Sequence, residues 1–282
     1  MAVAEALVLG GGGVAGVAWM TGLLAGLAEA GQDATAADLI VGTSAGSTVA
    51  AQLGSGLSLA ELYARQVEPR LQAAEIMVEV DLAGFGAQIE AVLREATTAQ
   101  QIRRAVGAFA RGATTVPEAE RRAVIESRLP SYDWPARAMK IVAVDAESGE
   151  PRVFDRTSGV DLVDAVAASC AVPGVWPPVT IVGRGYVDGG VRSNDNADYA
   201  AGATRVLVLS PLGSVQLLPS EKPLAQAVDE LRAGGAEVAV VEPDEASHAA
   251  IGENPLDPST RGPAAAAGRT QGRGLTIEWT TA

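Results

Sequence analysis

The chain has 282 residues, 48% of them hydrophobic, and a net charge of −13, so it is long and apolar enough to bury a sizeable core. That charge disfavours nucleic acid and anionic membrane surfaces as tight partners and leaves room for at most transient contact with a membrane interface. With one cysteine, Cys170, and one histidine, His248, the chain can form no intrachain disulfide and no Cys- or His-rich zinc site, so neither a metal nor an organic cofactor is expected.

Ala4–Leu9 is a short apolar run ending in glycines, the pattern of a buried parallel strand. The uncharged stretch Ala6–Ala28 is long enough for a spanning helix or a signal peptide. Four successive glycines, Gly10 to Gly13, would break such a helix, and Glu5 stands where a signal peptide carries basic residues. Strand, tight loop and buried helix are expected there, with a cytoplasmic location by default. Val14–Ala30 reads as that helix, closed by Gly31. Leu39–Val41 follows as a second strand and Ala45–Leu53 as a second helix, which gives the start of a parallel α/β sheet.

From about residue 59 to 129 glycine thins out and apolar residues fall on helical spacing, as in Leu59, Leu62 and Tyr63, or Ile89, Val92 and Leu93. Pro117 opens a further helix over Glu118–Ser127. This is a helical insertion of three or four helices, on which Arg103-Arg104 and Arg121-Arg122 read as solvated faces. Strands are expected at Met139–Val144, Arg152–Phe154, Val179–Val182, Gly185–Val187, Val206–Leu209 and Ala236–Val241. Helices are expected at Leu162–Ser169 and near Pro223–Arg232. A tail over about 254–282, rich in proline, glycine and alanine, reads as a closing helix or a mobile end. There is no internal repeat, and residues 1–282 are expected to form one domain.

Three glycine-flanked segments could carry chemistry. Gly42-Thr43-Ser44-Ala45-Gly46 fits G-x-S-x-G, in which a strand turns sharply into a helix and presents its serine at the helix N-terminus. Taken alone it also fits an ordinary Ser/Gly turn. Gly11, Gly13 and Gly16 fit G-x-G-x-x-G, but a dinucleotide site needs an acidic residue at the end of the second strand, and Gly42-Thr43-Ser44 stands there. The run of glycines suits an oxyanion hole instead, built from the backbone N–H groups of Gly11, Gly12, Gly13 and Val14. It also fits a tight turn without a ligand. Asp188-Gly189-Gly190 ends another apolar run, where a desolvated carboxylate could accept a serine proton or simply form an Asp-Gly turn. The first two loops follow neighbouring parallel strands, so they meet on one sheet edge.

Together, Gly11-Gly12-Gly13-Val14-Ala15-Gly16, Gly42-Thr43-Ser44-Ala45-Gly46 and Asp188-Gly189-Gly190 resemble the three motifs of patatin-like phospholipases. Ala168-Ser169-Cys170-Ala171-Val172-Pro173, followed by Pro177, resembles that family's block ahead of its aspartate. The resemblance runs at least from Leu7 to Gly190. It implies a three-layer α/β/α sandwich with a mainly parallel sheet and lipid acyl hydrolase activity. It also implies Ser44 as nucleophile, Asp188 as base, the glycine loop as oxyanion hole, and Gly16, Gly42, Gly46, Gly189 and Gly190 as motif-supporting residues. Two departures stand out. Ala15 replaces a basic residue usual in the family, which argues against a phosphate-bearing substrate. Asn194 is matched to the family's asparagine, and Asn196 occupies the position of its proline.

The expected reaction is hydrolysis of a lipid or other ester substrate through a Ser44–Asp188 dyad. A lipid transacylase would use the same residues, and a nucleotide-binding or non-catalytic module is the rival from another class. The order Ser44, Asp188, His248 is also that of an α/β-hydrolase triad. However, only two strands precede Ser44 and His248 lies in a polar stretch, so it is expected on the surface. Cys170 is expected to be a small buried side chain.

Overall fold

The computed structural model describes residues 3–77, 89–91, 94, 96–213, 215 and 218–281. Val92 and Leu93, part of the pattern read in the insertion, lie outside them. Five strands run parallel: β1 (Glu5–Leu9), β2 (Leu39–Thr43), β3 (Ala138–Asp145), β7 (Arg205–Leu209) and β8 (Glu237–Val241). Antiparallel partners are β4 (Pro151–Phe154), β5 (Val179–Ile181) and β6 (Arg184–Asp188). Among the described residues the order is β5-β6-β3-β2-β1-β7-β8, with β4 also on β3. β5 ends one residue before expected, because Val182 (φ 50°) and Gly183 (φ 76°) form the hairpin turn to β6.

The sheet is apolar on both faces, as a covered parallel sheet must be. Its strands alternate with period two: Leu7, Leu9, Ile40 and Ile141 enter one core, and Ala6, Val8, Leu39, Val41 and Val142 enter the other. Helices α1 (Gly13–Glu29) and α2 (Ala45–Leu53) cover the first face. The insertion follows, with α3 (Leu59–Val67), α4 (Ala99–Gly112) and α5 (Glu118–Arg128). Next come α6 (Leu162–Ser169), α7 (Leu224–Ala233), α8 (Glu245–Ile251) and α9 (Arg261–Gly274). Ala227, Val228 and Leu231 of α7 cover the second face, which makes the fold a three-layer sandwich.

The uncharged stretch resolves into β1, a loop and α1, whose residues Val14–Leu27 are all buried. Among the described residues no helix is long and apolar enough to cross a membrane. The tail adopts the closing-helix alternative. A Cβ on Gly22 or Gly26 would strike the Ala265 or Arg269 carbonyl of α9, and one on Gly268 or Gly272 would strike α1 at Trp19 or Leu23. The two helices therefore approach backbone to backbone.

One detail of register positions the site. Val142 of β3 pairs with both Thr43 of β2 and Val153 of β4, whereas Ala143 pairs with Asp188 of β6 and Arg152 of β4. β4 holds one edge of β3 from Ile141 to Val144, across this junction, so β2 and β6 share the other edge in succession. They point at each other end to end, with Thr43-Ser44 closing one strand and Asp188 the other. The expectation that Asp188 ends a strand holds, but that strand arrives antiparallel, from beyond the sheet edge.

Candidate active site

Ser44 joins β2 to α2 with φ 51° and ψ −115°, a conformation sparsely populated outside glycine. The surroundings fix this peptide on both sides. Its N–H donates to Ser169 Oγ at 2.9 Å, and that hydroxyl donates to Val142 O at 2.7 Å. Its carbonyl accepts from Ser47 N (2.9 Å), Ser47 Oγ (2.6 Å) and Cys170 Sγ (3.2 Å). The flanking glycines are steric requirements. A Cβ on Gly42 would lie 2.7 Å from Gly46 O and Ser47 Cα, and one on Gly46 would collide with Leu9 O. The positive end of α2 thus sits beneath Ser44.

Asp188 is buried. Its N–H donates to Ala171 O at 3.0 Å, and its Oδ1 accepts from Gly190 N–H at 2.7 Å. Among the described residues Oδ2 has no conventional hydrogen bond. Burial pushes the carboxyl up to about 6, opposed by the Ser44 hydroxyl, the Gly190 amide and the Arg121 charge. Gly189 must be glycine because a Cβ would run into Val142 O and sit 3.2 Å from Thr43 Cγ2.

The glycine loop abuts Ser44: a Cβ placed on Gly11 would lie 3.7 Å from Ser44 Cβ. Its amides divide sharply. Gly10 N donates to Leu209 O (2.9 Å), Gly11 N to Asn194 O (2.8 Å) and Ala15 N to Pro255 O (3.0 Å). Among the described residues the amides of Gly12, Gly13 and Val14 have no acceptor. Of the four residues expected to form the oxyanion hole, Gly11 therefore lends its shape, and the other three have free N–H groups. Gly13 has φ 61°, and a Cβ there would lie 2.5 Å from Pro255 O. Gly16 packs α1 on α2, 3.4 Å from Ala45 Cβ by the same construction.

Several residues depart from their sequence reading. The buried asparagine is Asn196. Its Nδ2 donates to Ser193 O (2.7 Å), Thr43 Oγ1 (3.1 Å) and Gly189 O (3.2 Å), and its Oδ1 accepts from Arg192 at 2.7 Å. Its φ of 50° is closed to proline, which explains the departure there. Asn194 contributes its carbonyl to Gly11, while its side chain bonds Val215 O. Ser169 and Cys170 grip the Ser44 peptide, a role that no spacing signalled. His248, by contrast, is exposed on α8, as its polar stretch leads one to expect.

The arginine pairs divide. Arg104 is exposed and Arg122 half-buried, but Arg103 and Arg121 are buried. Residues 121, 125 and 128 form the inward stripe of α5, so Arg121 and Arg128 point to the core and not to water. Among the described residues, no three His, Cys, Asp or Glu side chains converge as a metal-ligand set.

A family model described as patatin-like phospholipase matches residues 7–201. No curated protein matches the chain. Among solved structures, VipD from Legionella pneumophila is 12% identical with a TM-score of 0.44, over 96% of this chain and 66% of that one. The type III effector protein ExoU is 17% identical with a TM-score of 0.39, over 99% and 55%. The complex of SpcU with ExoU from Pseudomonas aeruginosa gives 16% identity and a TM-score of 0.36, over 99% and 54%. The chain thus spans 66% or less of the length of these structures.

Proposed function

The chain belongs to the patatin-like phospholipase family, and on that basis we propose that it hydrolyses lipid-type carboxylic esters with Ser44 as nucleophile and Asp188 as its base. The observation that carries this reading is the end-to-end meeting of β2 and β6, which sets a strained serine beside a buried carboxylate with one oxygen free.

Asp188 Oδ2 accepts the Ser44 proton as Oγ attacks the ester carbonyl. The amides of Gly12, Gly13 and Val14 stabilise the oxyanion, each such donor being worth about 10²–10³ in rate. The protonated Asp188 then returns its proton to the departing alcohol, leaving an acyl group on Ser44. Water, deprotonated by the same carboxylate, attacks the acyl-enzyme, and Ser44 recovers its proton as the acid leaves. A carboxyl raised to about 6 is ionised at neutral pH and still more basic than an exposed aspartate. No imidazole enters the scheme.

A fluorophosphonate probe followed by peptide mapping tests it. An adduct on the peptide bearing Ser44, lost in Ser44→Ala and much slowed in Asp188→Asn, supports the dyad. An unlabelled Ser44 in folded protein overturns it.

A further inference from the structure

The residues proposed as nucleophile and base reach the site on strands that do not bond each other. Among the described residues β2 and β6 each pair with β3, and no ladder joins them directly. β3 therefore fixes their register along its edge, while the gap between their two ends needs a separate tie. One buried side chain crosses that gap. Asn196, fully buried, sits in the left-handed region with φ 50°. Its amide orientation is set by Arg192, which can only donate and reaches Oδ1 at 2.7 Å. Nδ2 is therefore turned toward three acceptors: Ser193 O at 2.7 Å, Thr43 Oγ1 at 3.1 Å and Gly189 O at 3.2 Å. Arg192 is anchored in turn by bidentate bonds to Asp198, at 3.0 and 2.7 Å, and lies 4.8 Å over the Tyr199 ring. The acceptor end of Asn196 is thus braced from behind while its donor end spans the gap.

Each of the two distant contacts leads to one half of the dyad. Thr43 immediately precedes Ser44, so a shift of Thr43 carries the Ser44 peptide with it. The Thr43 hydroxyl accepts from Asn196 and donates to Asp195 O at 3.5 Å, which completes its bonding. On the other side, Gly189 O belongs to the peptide whose N–H is that of Gly190, and that N–H donates to Asp188 Oδ1 at 2.7 Å. A peptide is planar, so holding its carbonyl aims its N–H, and the N–H aims the carboxylate. Engaging Oδ1 in this way leaves Oδ2 as the free oxygen.

We propose that Asn196 is the positioning residue that sets the Ser44 hydroxyl against the Asp188 carboxylate, one amide tying the end of β2 to the turn that closes β6. This rests on the hydrolase reading above and names a residue on which its geometry depends. A misplacement of about 1 Å between reacting groups costs about a hundredfold in rate. The tie belongs to this chain's own sequence, because the proline usual at this position has no donor to offer and cannot adopt φ 50°.

Steady-state kinetics of the full chain on a p-nitrophenyl acyl ester, normalised to Ser44 titrated to completion with a fluorophosphonate, tests this. Normalisation counts only folded sites, so lost stability does not lower the reading. Asn196→Gly keeps the positive φ and removes the tie, so kcat should fall at least about tenfold while KM stays within about threefold of wild type. Thr43→Val, which keeps the methyl beside Gly189 and loses the hydroxyl, should lower kcat to a similar extent. Thr43→Ser, which keeps the hydroxyl, should restore it. Because both ends belong to one tie, the double variant Thr43→Val/Asn196→Gly should be no slower than the slower single variant. Losses that multiply in the double variant overturn the proposal, as does a change confined to KM. So does a kcat within about twofold of wild type in both Asn196→Gly and Thr43→Val. Should Asn196→Gly fail to fold, equal kcat in Thr43→Val and Thr43→Ser overturns it alone. Labelled Ser44 with unchanged kcat in the variants removes this proposal only, whereas unlabelled Ser44 in folded wild type removes the hydrolase reading.

Discussion

Asp188 and Asp195 lie one short loop apart, both buried, and desolvation raises them to about 6 and about 7 respectively. Their surroundings could hardly differ more. Asp188 faces the Ser44 hydroxyl and the Gly190 amide, with Arg121 in range. Asp195 backs onto Gly10, where a Cβ would strike its Oδ1, and that oxygen has no hydrogen bond among the described residues. The Ser210 hydroxyl favours its charge, and the nearby Glu242 carboxylate opposes it. Burial alone makes a carboxylate basic. What it faces decides whether that basicity can do chemistry, so a perturbed pKa by itself does not mark a catalytic group.

Substitution separates the two most sharply. Ser44→Ala and Asp188→Asn should each lower kcat on a p-nitrophenyl acyl ester by at least about a thousandfold, and the double mutant should be no worse than the weaker single mutant. Asp195→Asn should stay within about tenfold of wild type. Equal losses at both aspartates would erase the distinction.

The pH–rate profile sharpens it further. Since Asp188 works in its ionised form, kcat/KM should fall about tenfold per pH unit below about 6 and level off above. The limb should persist in Asp195→Asn, and a limb that vanishes there would assign the base to the wrong residue.

Stability should respond to both aspartates, over the wider pH window at Asp195. The unfolded aspartate ionises near pH 3.9, while the folded one keeps its proton up to about 7. Between those values the folded state binds more protons, so stability falls as pH rises through that window. Removing the ionisable group in Asp195→Asn should raise stability at pH 8 by on the order of 2–4 kcal/mol and lessen its pH dependence, leaving the part that Asp188 contributes below about 6. Urea melts from pH 4 to 8 would show it, and parallel curves for both proteins would contradict it. The smallest effect is expected at His248→Ala, with activity within about twofold of wild type. A loss of a thousandfold there would bring back the triad.

Much of this site was legible in sequence because its parts are local. Gly42–Gly46, the glycine run and Asp188–Gly190 each encode a turn whose backbone tolerates little else, so the pattern survives without context. The remaining features depend on partners distant in the chain. Arg121 reads as solvated because an 11-residue helix of alternating charge looks amphipathic until Trp176 and Glu75 close over it. Ser169 and Cys170 bond a serine peptide more than a hundred positions earlier. Asn196 reads as a failed proline until its positive φ is seen. The role of Gly22 and Gly26 becomes visible only with α9 in place, and the same helix settles the tail.

The shared edge of β3 also has a kinetic meaning. Neither Ser44 nor Asp188 holds a fixed position relative to the other until β3 has recruited both β2, from some hundred residues upstream, and β6, from the hairpin that follows. Pairings of such separation form late, because loop closure must be offset before contact energy accrues. During refolding, secondary structure and core burial should therefore recover ahead of ester hydrolysis, and activity should return at the rate of the slower of the two strand dockings.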